Sequence, residues 1–207
     1  MMHEISHELG PAYARVPARP ATNGAPNTAA SGAANTSTRV QINEAIGPTY
    51  SALEESKADI VGMFGLDWLI EHGALPKEKR SEYYASYVGG IFRTVRFGVA
   101  EAHGRGEMME FNYLVEQGAI THTAGVAGTA GRETAGRYAI VIERIPAAIA
   151  SLAKQLLEME ATGDRRRVEA WFAKYDRMPA DLTQALAAQS DIPVDIDPVF
   201  SFPEPVR

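Results

Sequence analysis

The 207-residue chain contains no cysteine. That removes disulfides, thiolate nucleophiles and every Cys-ligated metal site, and it fits a reducing compartment, so the expected location is the cytoplasm. Long hydrophobic runs are also missing. No stretch approaches the ~18–20 apolar residues of a membrane span, and Met1-Met2-His3-Glu4 shows no basic segment leading into an apolar one, so no secretory leader is read. Basic charge is in deficit: 20 Lys and Arg face 26 Asp and Glu, for a net charge of −6. That balance argues against a nucleic-acid partner. The one dense basic run, Arg165-Arg166-Arg167, lies between Asp164 and Glu169 and reads as a solvated helix face. Hydrophobic residues still make up 45% of the chain, enough for a core in one domain or in part of a larger one.

Residues 17–38 are rich in Ala, Pro, Asn, Thr, Ser and Gly and nearly devoid of large apolar side chains. This is the composition of a flexible insert. Around it, helical patterns dominate. A first short helix begins at His3 and must break near Gly10-Pro11. A second opens after Pro48 and runs to Gly73, with Leu53, Ile60, Phe64 and Trp68 at spacings of seven and four on one apolar stripe. Further helices are expected over about 77–97, 104–117, 146–161, 164–175 and 180–188. Ala119-Ile120-Thr121 and Tyr138-Ala139-Ile140-Val141-Ile142 flank a Gly-rich stretch and read as a two-stranded hairpin with a long loop. From Ile192 the chain carries four prolines and should be extended. The expected class is mainly α: a helical lobe with one small β-hairpin.

His3-Glu4-Ile5-Ser6-His7 is an H-E-x-x-H motif. Residues four apart on a helix share a face, so both imidazoles can meet one Zn2+. The intervening Glu4 can then act as general base towards a water activated by that ion. Such a site needs a third protein ligand. Glu54-Glu55-Ser56-Lys57-Ala58-Asp59 is the best source, because one of its carboxylates can bind the metal while others accept the free N–H of the ligand imidazoles. Ala52, Ala58 and Gly62 are small and would let another element pack close to that face. Elsewhere, His72 before Gly73 reads as a helix cap, His122 as a solvated loop residue, and Met108 and Met109 as core. The glycines between 122 and 136 lack the strand-to-helix context and Lys of a phosphate loop.

Taken together, the two motifs resemble the zinc motifs of the dipeptidyl peptidase III family. The resemblance continues through Arg93-Thr94-Val95-Arg96-Phe97-Gly98, Ala102-His103-Gly104-Arg105-Gly106, Phe111-Asn112-Tyr113-Leu114 and Ala161-Thr162-Gly163-Asp164. It covers most of residues 1–16 and 40–200 and misses the insert. It implies that His3, His7 and Glu55 ligate zinc and that Glu4 activates water. Glu54 and Asp59 would orient the imidazoles, and His103 would hydrogen-bond substrate or the oxyanion. The implied substrate is a short peptide. There are departures: the first motif has five residues where many relatives have six. Ser56, Lys57 and Asp59 stand where Cys, Arg and Glu are common. Glu107 occupies a position where relatives often place a substrate-gripping arginine, with Arg105 only nearby. Relatives also carry several hundred residues before the first motif, so residues 1–207 are expected to be the C-terminal part of a catalytic lobe whose partner is a missing N-terminal lobe of the same protein. Two other readings compete with catalysis: a zinc-binding helical fragment without turnover, and a metal-free interaction module.

Overall fold

A computed structural model describes residues 2–17, 37–125 and 136–195. The described chain opens with α1 (Met2–His7), then β1 (Tyr13–Pro17) and β2 (Ser37–Gln41), α2 (Ile42–Ile46), and the long α3 (Tyr50–Glu71). It continues with α4 (Arg80–Thr94), α5 (Ala102–Glu116), β3 (Ile120–Thr123), β4 (Arg137–Ile140), α6 (Ile145–Thr162), α7 (Arg165–Tyr175) and α8 (Ala180–Ala187). The class is mainly α, as the patterning predicts. The long helices fall within a few residues of their expected bounds, because each boundary carries a chemical signal. Glu101 caps α5 by accepting from the Gly104 N–H at 3.1 Å, and Asp164 caps α7 by accepting from Arg167 at 3.1 Å. Gly163 ends α6 at φ 60°, a left-handed conformation that costs glycine little. His72 does cap α3: its Nδ1–H donates to the Trp68 carbonyl at 2.8 Å.

The central element is α3, which packs against α1, α5 and α6. Leu53 and Ile60 of α3 are fully buried, together with Met108, Met109, Phe111 and Leu114 of α5, Ile149, Leu152 and Leu156 of α6, and Val168 and Phe172 of α7. Burying each such side chain contributes about 1.5–3 kcal/mol. The predicted α3 stripe stops halfway: Phe64 and Trp68 are 48% and 54% exposed. Seven- and four-residue spacing puts four side chains on one face of a helix, but it does not say how far along that helix a neighbour extends.

The hairpin β3–β4 pairs antiparallel with Ile120 opposite Ile140. A second two-stranded sheet, β1–β2, pairs Tyr13 with Gln41 through Pro17 with Ser37. It is absent from the sequence reading, as is α2. Among the described side chains of these strands only Ala14 is fully buried, and the alternation is no longer than Tyr13 exposed, Ala14 buried, Arg15 exposed, too short to separate from loop. The insert predicted over 17–38 therefore has its two ends in paired strands, and the rest of it lies outside the described residues. The same is true of most of the Gly-rich 122–136 stretch and of the tail beyond Asp195. The start of that tail is tied to the end of α4 and the turn after it: Arg93 of α4 donates to the Val194 carbonyl at 3.1 Å, and Arg96, just beyond the helix, to the Ile192 carbonyl at 2.6 Å.

Candidate metal centre

Close approach of three helices builds the site, and small residues make it possible. A Cβ at Gly62 of α3 would sit 3.3 Å from the Met2 carbonyl carbon and 3.4 Å from the His3 nitrogen, so α1 rests almost backbone to backbone on α3. A Cβ at Gly106 of α5 would lie 2.7 Å from Ser56 Oγ and 3.1 Å from the Ala52 carbonyl oxygen. Glycine there lets α5 cross α3 tightly, which brings His103, in the first turn of α5, over Glu55.

At the crossing, His3 Nε2 lies 3.3 Å and His7 Nε2 3.7 Å from Glu55 Oε2, and the two Nε2 atoms are 3.1 Å apart. These three residues form a group whose ligand-type atoms all lie within 4.8 Å of one another. His103 Nε2 is 3.1 Å from the same Glu55 oxygen. His3, His7 and Glu55 are each about one-quarter exposed, and His103 half exposed. The site therefore opens to solvent on one side.

Protonation follows from the partners. His3 Nδ1 faces Asp59 Oδ1 at 2.7 Å, and His7 Nδ1 faces Glu54 Oε1 at 2.9 Å. An ionised carboxylate only accepts, so each Nδ1–H donates outward, and each ring turns its Nε2 towards the other and towards Glu55. Glu55 Oε2 is buried, and its polar neighbours are the three imidazole nitrogens of His3, His7 and His103. Two imidazole nitrogens and one carboxylate oxygen thus converge on a single point. Ligand atoms ~2.0–2.2 Å from one zinc in a tetrahedron lie roughly 3.3–3.6 Å apart. The observed 3.1, 3.3 and 3.7 Å bracket that spacing. The residues present therefore fit zinc, and two imidazoles suit it better than a hard cation such as Mg2+.

The supporting carboxylates differ in charge. Burial acts to raise Glu54, yet hydrogen bonds from Lys57 and then His7 outweigh it and hold the carboxyl below its ordinary value. Tyr50 also donates to its other oxygen at 3.2 Å. Burial pushes Asp59 up against the opposing hydrogen bond from His3. Behind Asp59, Glu107 is pushed up to about 7, first by burial and then by the Asp59 charge. Glu110 is raised further by the same two causes, with Tyr87 donating to it at 2.6 Å. Sequence reasoning placed Glu107 near the substrate only through the resemblance, and it missed Glu110 as a neighbour of the site. The i, i+3 step from Glu107 to Glu110 places them on one face, but nothing local shows that the face is turned inward. Glu107 is directed to the Asp59 side, and Arg105 is bound to Asp176 at 2.8 Å with its guanidinium over Phe172. Glu4, on the first turn of α1, is exposed.

His122 is not a solvated residue. Its Nδ1 lies 2.8 Å from Asp181 Oδ2 and its ring 4.6 Å from that of Tyr138. The long-range contact with α8 has no signature in the loop sequence.

No protein-family profile matches the chain. It is similar to dipeptidyl peptidase III from Caldithrix abyssi, with 32% identity and a TM-score of 0.76 over 96% of this chain and 33% of that one. It is also similar to dipeptidyl-peptidase III from Corallococcus sp. strain EGB, with 30% identity and a TM-score of 0.74 over 96% of this chain and 32% of that one. A curated relative, Nudix hydrolase 3 of Arabidopsis thaliana, is 31% identical over 204 residues, 98% of this chain and 23% of its own length. The chain thus spans about a third of the two solved structures and about a quarter of the curated relative. Among the described residues no helix is long and apolar enough to cross a membrane.

Proposed function

We propose that this chain is the zinc-bearing part of a peptidase of the dipeptidyl peptidase III kind, with His3, His7 and Glu55 as ligands. One observation carries the reading: His3 Nε2, His7 Nε2 and the buried Glu55 Oε2 converge at tetrahedral spacing on one open face. Zinc, when bound, lowers the pKa of a coordinated water towards neutrality and polarises a carbonyl. The residues of the chain supply the rest. Glu4 is the general base. Asp59 and Glu54 hold the two imidazoles in the Nδ1–H tautomer and raise their basicity. His103, half exposed above Glu55, is the donor that meets charge developing on the carbonyl oxygen of a peptide.

Likeness to two dipeptidyl peptidase III structures supports this choice of substrate class, a short peptide cleaved to dipeptides. The Nudix name belongs to a protein more than four times the matched length, so its printed activity need not lie in the matched stretch. Residues 1–207 act as the C-terminal part of a catalytic lobe, completed by an N-terminal lobe. An apolar groove of about 660 Å³ beside α1, lined by Met2, Leu9, Val61, Phe64 and Leu157 among others, supports an unfinished face. Replacement of Glu4 by Gln keeps the zinc and lowers turnover of dipeptidyl chromogenic substrates by about 10²–10⁴-fold. Unchanged turnover, with zinc content equal by metal analysis, refutes the base assignment.

The partial coverage favours one alternative, a zinc-binding helical fragment without turnover. Positioning of substrate supplies much of a catalytic rate, and two-thirds of the solved relatives' length lies outside the match. Robust turnover by the 207-residue chain excludes it.

A further inference from the structure

Lys57 is a deeply buried lysine of the metal region, with 2% of its side chain exposed. Its Nζ lies among three backbone carbonyls, donating to Ser6 at 2.9 Å, His7 at 3.2 Å and Leu9 at 2.9 Å. The same ammonium is 2.7 Å from Glu54 Oε1, and that oxygen accepts from His7 Nδ1 at 2.9 Å. His7 is therefore held at both ends from a single nitrogen: its carbonyl directly, its ring through Glu54.

The chain needs such a device here. A six-residue helix is marginal by itself, and its last carbonyls have no partners within it. A cation at that end satisfies them and suits the helix dipole. Glu54 must also stay ionised and immobile to fix the His7 tautomer. Four groups aim at it: Lys57, His7, Tyr50, and Glu160, whose carboxyl is raised to about 9 by burial and by its bond to Glu54.

We propose that Lys57 is a positioning residue that sets the direction of the His7 imidazole by clamping the end of α1 and the Glu54 carboxylate together. The inference rests on the zinc reading above and deepens it. Charge and position predict opposite signs, which makes it testable. Three carboxylates, Glu54, Glu55 and Asp59, surround the centre. If Lys57 acted only through its charge, removing it would leave them less compensated and tighten a divalent cation. If it acts by position, removing it loosens the cation, by about the 10–100-fold typical of groups that orient metal ligands.

The experiment measures the zinc affinity of the 207-residue chain by competition with a chromogenic chelator. Lys57→Met, near in shape but without charge or donors, should bind zinc about 10–100-fold more weakly. Lys57→Arg should recover most of that loss. Val168→Ala, a core change in α7 away from α1, serves as a control matched for lost thermal stability and should leave affinity nearly unchanged. Equal or tighter binding by Lys57→Met overturns the proposal, as does equal weakening by Val168→Ala. If Lys57→Met folds only with metal, the zinc concentration for refolding is read instead. A midpoint equal to that of a comparably destabilised Val168→Ala chain overturns the proposal, and a tenfold higher one supports it. An unmodified chain that binds no zinc removes the parent reading along with this one, whereas normal zinc binding by both chains removes this one alone.

Discussion

Two parts of the molecule pair histidine with carboxylate, and they do different things with the pairing. At the contact of β3 with α8, His122 and Asp181 meet at 2.8 Å. There the Asp181 carboxylate faces a single imidazole nitrogen, and the Tyr138 ring lies 4.6 Å from that of His122. At the crossing of α1, α3 and α5, His3 and His7 turn their donor nitrogens outward to Asp59 and Glu54 and their Nε2 atoms inward to Glu55. The exposure of the imidazoles is nearly the same, 23% for His122 against 25% and 28%. Burial therefore does not separate the two places. What separates them is how many side chains face one point: among the described residues, His3, His7 and Glu55 bring three ligand-type atoms within 4.8 Å of one another.

The sharpest way to break that contrast is to remove an acceptor. Glu55→Ala should abolish stoichiometric zinc after gel filtration, read by elemental analysis, and hydrolysis with it. The same change removes a buried carboxylate oxygen, so the metal-free variant should be no less stable than the metal-free parent in a guanidinium titration. Full zinc occupancy in Glu55→Ala would show that the carboxylate is a neighbour of the site and not part of it.

A smaller effect probes the acidic groups behind His3. The folded-state value of Glu107, about 7, lies above the ordinary glutamate value of 4.5. Its contribution to stability is thus fully present below about pH 4.5 and is lost as pH rises through 7. Glu107→Gln has nothing to lose over that interval. Between pH 5 and pH 8 the metal-free parent should fall by about 1–3 kcal/mol relative to the variant, measured by denaturant midpoints in chelator. Parallel curves would mean that the buried Glu107 carboxyl is better hydrated than its surroundings imply.

The contrast also shows what a single sequence can reveal. The meeting of His3 with His7 is legible because i, i+4 spacing on one helix fixes their geometry locally. Glu54, Glu55 and Asp59 become legible because the first motif demands a third ligand and the neighbouring Ala52, Ala58 and Gly62 permit close packing. Lys57 is quoted within that motif, but its role is invisible there, since its three carbonyl partners come from an element some fifty residues earlier. The exposed Phe64 and Trp68 show the converse: periodicity gives a face, and only the fold gives the cover. β1–β2 escaped because its pairing closes around residues whose composition carries no strand signal.

The smallest expected effect is at His122. Its ion pair with Asp181 is partly exposed on both sides, 23% and 39%, and pairs of that kind contribute about 0–1 kcal/mol. His122→Asn keeps a polar side chain beside Tyr138 and should change stability by less than about 0.5 kcal/mol, with zinc content and zinc affinity identical to the parent. The result discriminates because both places hold the same residue types at similar depth. If zinc binding followed from histidine–carboxylate pairing as such, His122→Asn would lower the metal stoichiometry measurably. If it follows from convergence, the stoichiometry stays at one and only changes at the α1–α3 crossing move it.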